Sequence, residues 1–224
     1  LNLVKGETED KRGEKLILNG MARDYFQREN LDKGIKEANE NDLILISDLD
    51  EIPNLESLNF SDIKNNIVIF EQKMFYYKFN LFYNDFIWQG TKATKKKNFL
   101  SPQWLRNIKD KKYPFWRLDT LFSKTKYQGI CFIENGGWHF SYMKTAKNIE
   151  KKLTSYLHHR EYDLEPIGED KIQQMIMGKK PVYNLRTDMK KSKFRGGDEL
   201  TVTKMDELPT YIKNNLNKYK QWLE

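Results

Sequence analysis

Residues 47–53 read Ser-Asp-Leu-Asp-Glu-Ile-Pro, which crowds Asp48, Asp50 and Glu51 into one short segment. Two carboxylates at i and i+2, on a turn leaving a strand, can point to one side and hold a hard divalent cation through oxygen. A cation held by one or two carboxylates can share the oxygens of a diphosphate and neutralise them. The same residues would also make a solvated acidic turn capping the next helix. Placement favours the site: the segment directly follows the apolar run Leu43-Ile44-Leu45-Ile46, and ligands of open α/β sheets bind beyond the carboxyl ends of strands.

Other side chains could join this chemistry. His139 is one of three histidines and sits between Trp138 and Phe140 on an expected strand; an imidazole there is either a metal ligand or a hydrogen-bonded core residue. His158 and His159 close an expected helix, where the dipole favours a cation. Arg28, Arg106 and Arg117 are candidates for gripping phosphate oxygens with forked hydrogen bonds, or are solvated surface residues. The Lys95-Lys96-Lys97 run and the basic loop 190–197 could meet nucleic acid, but no helix-turn-helix, zinc-finger or RNP pattern accompanies them. No nucleic acid is therefore expected among the partners. No pair of glycines has the spacing of a dinucleotide or phosphate loop, which argues against a Rossmann dehydrogenase and a P-loop enzyme. Asn59-Phe60-Ser61 is a formal glycosylation acceptor, without meaning unless the chain is secreted.

The elements that must position these groups follow from periodicity. Residues 43–46 are a continuous apolar run, expected as a strand buried on both faces. A short strand is expected over 15–18, and apolar residues at helical spacing predict a helix over 22–39. Further strands are expected at 67–70, 74–81 and 86–91, with a hairpin of 129–132 and 138–142 around Asn135-Gly136-Gly137. Helices are expected over 145–158, around 172–176 and over 209–223. There is no internal repeat and no linker long enough to divide the chain, so one domain over residues 1–224 is expected.

Composition bounds the classes. With 38% hydrophobic and 13% aromatic residues, the 224-residue chain is too rich in large apolar side chains to stay disordered. No apolar run approaches the ~18 residues of a membrane span. The net charge of +7 favours anionic partners. A single cysteine, Cys131, excludes an internal disulfide framework and favours a reducing compartment. Leu1 is not an initiator Met, and no signal-peptide pattern follows it.

Together the segments resemble glycosyltransferase family 17, the β-1,4-mannosyl-glycoprotein N-acetylglucosaminyltransferases and their microbial and viral relatives. The resemblance rests on Tyr25-Phe26-Gln27-Arg28, the 44–53 block, Phe75-Tyr76-Tyr77-Lys78-Phe79-Asn80, Ser101-Pro102-Gln103-Trp104-Leu105-Arg106 and Gly137-Trp138-His139-Phe140-Ser141-Tyr142. Lys152-Leu153-Thr154-Ser155 and Glu161 follow in the expected order. The Ser-Asp-x-Asp-Glu-Ile-Pro and Gly-Trp-His-Phe-Ser blocks are far more specific than a bare Asp-x-Asp. In one respect the chain departs from the family: it is expected to start after the usual first strand, which carries part of the nucleotide pocket.

The resemblance implies a GT-A-like α/β fold, with a mixed central sheet flanked by helices and a helical C-terminal part. It implies an inverting transfer of a sugar, N-acetylglucosamine foremost, from a UDP-sugar to a hydroxyl of a glycan or glycoconjugate, with Mn²⁺ or Mg²⁺. On this reading Asp50, Asp48 and His139 are the metal ligands, and Arg28, Asp48, Arg106 and Trp138 bind the donor. The basic loop 190–197 would close over the diphosphate. Inversion by single displacement needs a carboxylate to take the acceptor proton; Glu161, Glu134 and Asp119 are candidates, Glu161 lying in a family-like block. The eukaryotic relatives are Golgi-anchored, whereas a cytoplasmic place is favoured for this chain. Two alternatives stand beside this reading. One is a haloacid-dehalogenase-type phosphohydrolase using Asp48 and Asp50, although Ile52 replaces the small residue usual four places after the first Asp. The other is a catalytically inactive carbohydrate-binding relative.

Overall fold

The computed structural model describes residues 1–56, 58–155, 162–163, 165–183 and 199–224. Over these described residues the architecture is mixed α/β, built on a seven-stranded sheet. The strands are β1 (Leu43–Ile46), β2 (Glu51–Pro53), β3 (Ile67–Tyr76), β4 (Leu81–Lys95), β5 (Ile130–Ile133), β6 (Gly137–Ser141) and β7 (Thr201–Val202). They run in the order β1-β4-β3-β6-β2, with β5 on β3 and β7 on β4. Around the sheet lie α1 (Glu9–Glu29), α2 (Pro102–Asn107), α3 (Ala146–Ser155), α4 (Gly168–Met177) and α5 (Thr210–Lys213). None of the helices of the described residues is long and apolar enough to cross a membrane.

The amino-terminal stretch corrects the expected strand at 15–18. Thr8 accepts a hydrogen bond from the Lys11 backbone N–H, and Glu9 and Asp10 occupy the first turn of α1. A cap and acidic residues beside the positive helix end outweigh the local Leu-Ile-Leu run. The helix expected over 22–39 ends at Glu29 and continues as a 3₁₀ turn, Asn30–Ile35.

β3 and β4 form the long antiparallel hairpin at the centre. The expected strand 74–81 is broken within it, because Tyr77 adopts φ +62° and turns the aromatic run back on itself. Buried Asn80 fixes this turn by pairing with the Glu224 backbone, its Nδ2 donating to O at 3.1 Å and its Oδ1 accepting from N at 2.8 Å.

The hairpin expected around Asn135-Gly136-Gly137 is not one. β5 and β6 both run parallel to β3, one after the other: Ile67 to Phe70 pair with Ile130 to Ile133, and Lys73 to Tyr76 with Trp138 to Ser141. Positive φ at Asn135 (51°) and Gly137 (138°) makes a jog, not a reversal. A Cβ on Gly137 would lie 2.1 Å from the Ile52 carbonyl oxygen, so the jog admits no side chain where β6 meets β2.

β1 also differs from expectation. Ile44 and Ile46 are buried while Leu43 and Leu45 are half-buried, and among the described residues β1 pairs on one side only, with β4. Ile44 and Ile46 pack with Ile67 and Ile69 against Leu105 and Ile108, which seats α2 on the sheet. Each such burial contributes roughly 1.5–3 kcal/mol relative to exposure. A second core joins Tyr76, Tyr77, Leu81 and Tyr83 to Ile149 and Leu153 of α3 and Ile172 and Met175 of α4. The helix expected over 209–223 shortens to α5 and a 3₁₀ turn, Lys220–Trp222. Poor helix formers, Asn214, Asn215 and Asn217, follow α5 directly, while Ile212, Leu216, Tyr219 and Leu223 still join the cluster of Phe75 and Phe140.

Candidate active site

The segment after β1 folds into a tight turn in which the Glu51 N–H donates to the Asp48 carbonyl at 3.0 Å. The Glu51 carboxylate reaches back and accepts from the Asp48 N–H at 3.0 Å. Backbone and side chain therefore close the same turn reciprocally, and Leu49 is pushed out fully into solvent. Ser47 fixes its start through a 2.6 Å hydroxyl contact with Thr91 of β4.

Glu51 has no side-chain exposure and is the hub of the site. Arg106 donates to both its oxygens at 3.0 Å, and the Trp88 indole donates at 2.8 Å. Arg106 also donates to Asp48 at 2.9 Å and to the Gly90 carbonyl at 2.7 Å. Its two terminal nitrogens thus hold β4 and both ends of the turn together. A charge buried this deeply is retained only when paired and fully hydrogen-bonded, and this network meets that condition.

Helix α2 delivers Arg106, and several contacts place α2. Ser101 caps it, accepting from the Trp104 N–H at 3.2 Å, while Glu29 at the end of α1 accepts from the Ser101 hydroxyl and the Gln103 N–H, both at 3.0 Å. At the other end Lys92 of β4 donates to the carbonyls of Arg106 and Ile108, a cation favoured at a helix C-terminus. Burial pushes Lys92 down to about 8, with Arg106's charge lowering it further and Asp110 and Glu51 opposing.

Arg28 comes from the last turn of α1. It donates to Gln103 at 2.9 Å and faces Asp48 at 3.5 Å. Both oxygens of Asp48 therefore lie against guanidinium groups, which fixes the carboxylate at the edge of the cleft. Beside them opens a cleft of about 260 Å³ lined by Asp24, Gln27, Arg28, Leu31, Ser47, Asp48 and Leu49.

Asp50 turns the other way, toward His139, whose Nε2 lies 3.5 Å from Oδ1. Strand pairing sets this meeting: β2 and β6 align Glu51 with His139, and the Asp50 carbonyl accepts from the Phe140 N–H at 2.9 Å. The imidazole stacks on Trp88 with ring centres 4.5 Å apart. Its Nδ1 is buried without a hydrogen-bond partner. Burial raises the Asp50 pKa, but the hydrogen bond and charge of His139, with the charge of Lys152, outweigh it and hold the carboxyl below its ordinary value.

Of the residues named from sequence, Arg28, Asp48, Asp50, Arg106 and His139 converge here. Trp138 does not: strand alternation sends it and Phe140 into the opposite apolar cluster, and its indole donates to the Glu207 carbonyl at 2.7 Å. Glu134 is exposed beyond Gly137, and because Gly137 pairs with Pro53 it stands at the end of β2 away from Asp50. Asp119 is held by Arg117 at 2.7 and 2.9 Å and by Lys126 at 2.9 Å, and these bonds keep its carboxyl far below the usual range. Glu161, His158, His159 and the basic loop 190–197 lie outside the described residues.

Among the described residues no group of three or more His, Cys, Asp or Glu side chains is drawn together to hold a metal ion. Asp50 and His139 nonetheless offer a part-exposed carboxylate and, 3.5 Å from it, the Nε2 of a buried imidazole. Such a pair fits a divalent ion that takes its remaining ligands from substrate oxygens and water, and the imidazole favours Mn²⁺ over Mg²⁺. Residue types alone do not single out Glu51 as the hub, nor Trp88, Gln103 and Lys92. Only the adjacency of Glu51 to the two aspartates signalled it.

The family model described as Glycosyltransferase family 17 matches residues 3–224. No curated protein and no solved structure matches the chain.

Proposed function

The chain belongs to glycosyltransferase family 17, and from that premise we propose that the turn after β1 is the donor site of a metal-dependent, inverting transfer of N-acetylglucosamine from a UDP-sugar to a glycan hydroxyl. The observation that carries this reading is the division of labour within the turn. Asp48 is fixed between Arg28 and Arg106, whereas Asp50 stands beside His139 and remains part-exposed.

In this reading Asp50 and His139 hold Mn²⁺ or Mg²⁺, which when bound neutralises charge on the leaving diphosphate. Asp48, held by two guanidinium groups, presents carboxylate lone pairs to the cleft, where they can accept hydrogen bonds from ribose hydroxyls. Arg28, half-exposed at the rim of the same cleft, keeps a cation near the phosphates. Arg106 serves the donor by holding Asp48 in place, since its terminal nitrogens are occupied. Trp138 would serve the donor only from the opposite face of β6, and its hydrogen bond to Glu207 supports a packing role.

Positive charge grows on the sugar as the glycosidic phosphate bond breaks, and the acceptor hydroxyl must lose its proton to a carboxylate, a contribution of ~10²–10⁴-fold. Glu161 is our candidate for that base; Glu134, the alternative, would have to reach the acceptor from the far end of β2. Calorimetry of UDP with Mn²⁺ tests the donor site. The wild type is expected to bind UDP only with the ion present, and Asp50→Asn to lose that dependence while keeping its melting temperature. Equal metal-dependent binding by both proteins would remove the assignment.

A further inference from the structure

Between α2 and β5 the chain makes an excursion that exposes a run of large apolar side chains. Phe115, Trp116, Leu118, Leu121 and Phe122 are between 65% and 89% exposed, while polar groups of the segment are bonded to one another. The Gln128 amide donates to the Thr120 hydroxyl at 2.8 Å and lies within 3.2–3.4 Å of the carbonyls of Pro114, Phe115 and Arg117. Thr120 is buried, and its hydroxyl donates to the Arg117 carbonyl at 2.6 Å. Arg117 and Lys126 clasp Asp119 at 2.7–2.9 Å, and the base is tied down by the Trp104 indole on the Lys124 carbonyl and by the Lys109 N–H on the Thr125 carbonyl. The segment thus holds its shape through bonds among its own polar groups and leaves five large apolar side chains in water, a contiguous patch of the kind that marks an interaction surface.

Cations flank this apolar tip. Lys109, Lys111, Lys112 and Lys124 are exposed, and from residue 109 to 126 six cations stand against Asp110 and Asp119, a net charge of +4. Because Asp119 is already neutralised by Arg117 and Lys126, the four exposed lysines remain available to an external anionic surface. Trp, Phe and Leu at a tip ringed by Lys match the headgroup and acyl boundary of a bilayer, where apolar rings insert and ammonium groups meet anionic headgroups.

We propose that residues 109–126 dock this protein on the surface of an anionic lipid bilayer, with Phe115, Trp116 and Phe122 inserting and the flanking lysines pairing with headgroups. The inference is independent of the transfer reaction. The segment begins two residues after α2, so lipid docking and Arg106 of the candidate site share one stretch of chain.

Flotation with phosphatidylcholine vesicles, with and without phosphatidylserine, tests it. The wild type is expected to partition onto phosphatidylserine vesicles at low salt and to be released as salt rises, each lysine near the surface contributing about fivefold. A Phe115→Ser, Trp116→Ser, Phe122→Ser variant should lose at least ~tenfold in partitioning with an unchanged melting temperature, since these side chains are exposed. Lys109→Gln, Lys111→Gln, Lys112→Gln and Lys124→Gln together should erase the preference for phosphatidylserine. Failure of the wild type to float, or equal flotation of the serine variant, would overturn the proposal. So would a wild-type dimer in sedimentation that the serine variant abolishes without any lipid binding, because a second copy would then be what covers the tip.

Discussion

Glu51 is the side chain on which the candidate site most depends, although it is closed off from solvent. It accepts from Arg106, Trp88 and the Asp48 N–H at once, and its removal would leave a guanidinium half-paired in a poorly solvated place. Breaking a buried pair in this way costs about 3–5 kcal/mol. Glu51→Gln keeps the shape and one acceptor oxygen, so the expected loss is smaller, about 2–3 kcal/mol in urea denaturation, with weaker UDP binding as Asp48 loses its fixed position. A variant as stable as the wild type would show that Arg106 needs only Asp48 and Gly90. Side-chain chemistry singles out Asp48, Asp50, Arg28, Arg106 and His139 in the sequence, and the structure brings these five together. Glu51 was not readable in that way: its partner Arg106 lies 55 residues away, and burial of a carboxylate depends on a tertiary contact that local patterning does not carry.

At the scale of elements, α2 decides whether the site assembles. It is short, and it keeps its place through Leu105 and Ile108 in the core, Glu29 at its start and Lys92 at its end. Lys92 releases its proton near pH 8 in the fold and near 10.5 in the unfolded chain. Between those values the unfolded state binds more protons, so this residue's contribution to stability rises with pH through the window and is lost as pH falls through 8. Burial of the charged form is thus a standing cost at neutral pH. Lys92→Met should lack this rise, and the difference between the two proteins isolates it from the tyrosines that titrate above. Denaturation curves from pH 7 to 10 measure it; parallel profiles would show that Lys92 is solvated. The Ser101-Pro102 start of α2 follows local capping rules and is legible in sequence. Two neighbouring features were not. Thr8 with Glu9 and Asp10 started α1 ahead of the Leu-Ile-Leu run taken for a strand, and the half-burial of Leu43 and Leu45 depends on what flanks β1 in space.

For the whole molecule, the mixed α/β class and most strand positions follow from apolar runs, but the order of strands does not. The Asn135-Gly136-Gly137 segment has the composition of a hairpin turn and serves as a jog that lets β5 and β6 share one edge of β3. That jog sets Glu51 opposite His139 and so joins the two halves of the site. Gly137→Ala would drive a Cβ to 2.1 Å from the Ile52 carbonyl at φ +138°; the expected cost is on the order of 3 kcal/mol, read as a lowered melting temperature together with lost metal-dependent UDP binding. Loss of stability without loss of binding would uncouple the jog from the site. Glycosyl transfer at the turn after β1 is the central claim, and UDP release from UDP-N-acetylglucosamine with a glycan acceptor tests it most directly. The account predicts release that requires Mn²⁺ or Mg²⁺, stops with chelator and falls at least ~100-fold in a folded Asp50→Asn variant; UDP release unaffected by chelator and by Asp50→Asn would contradict it.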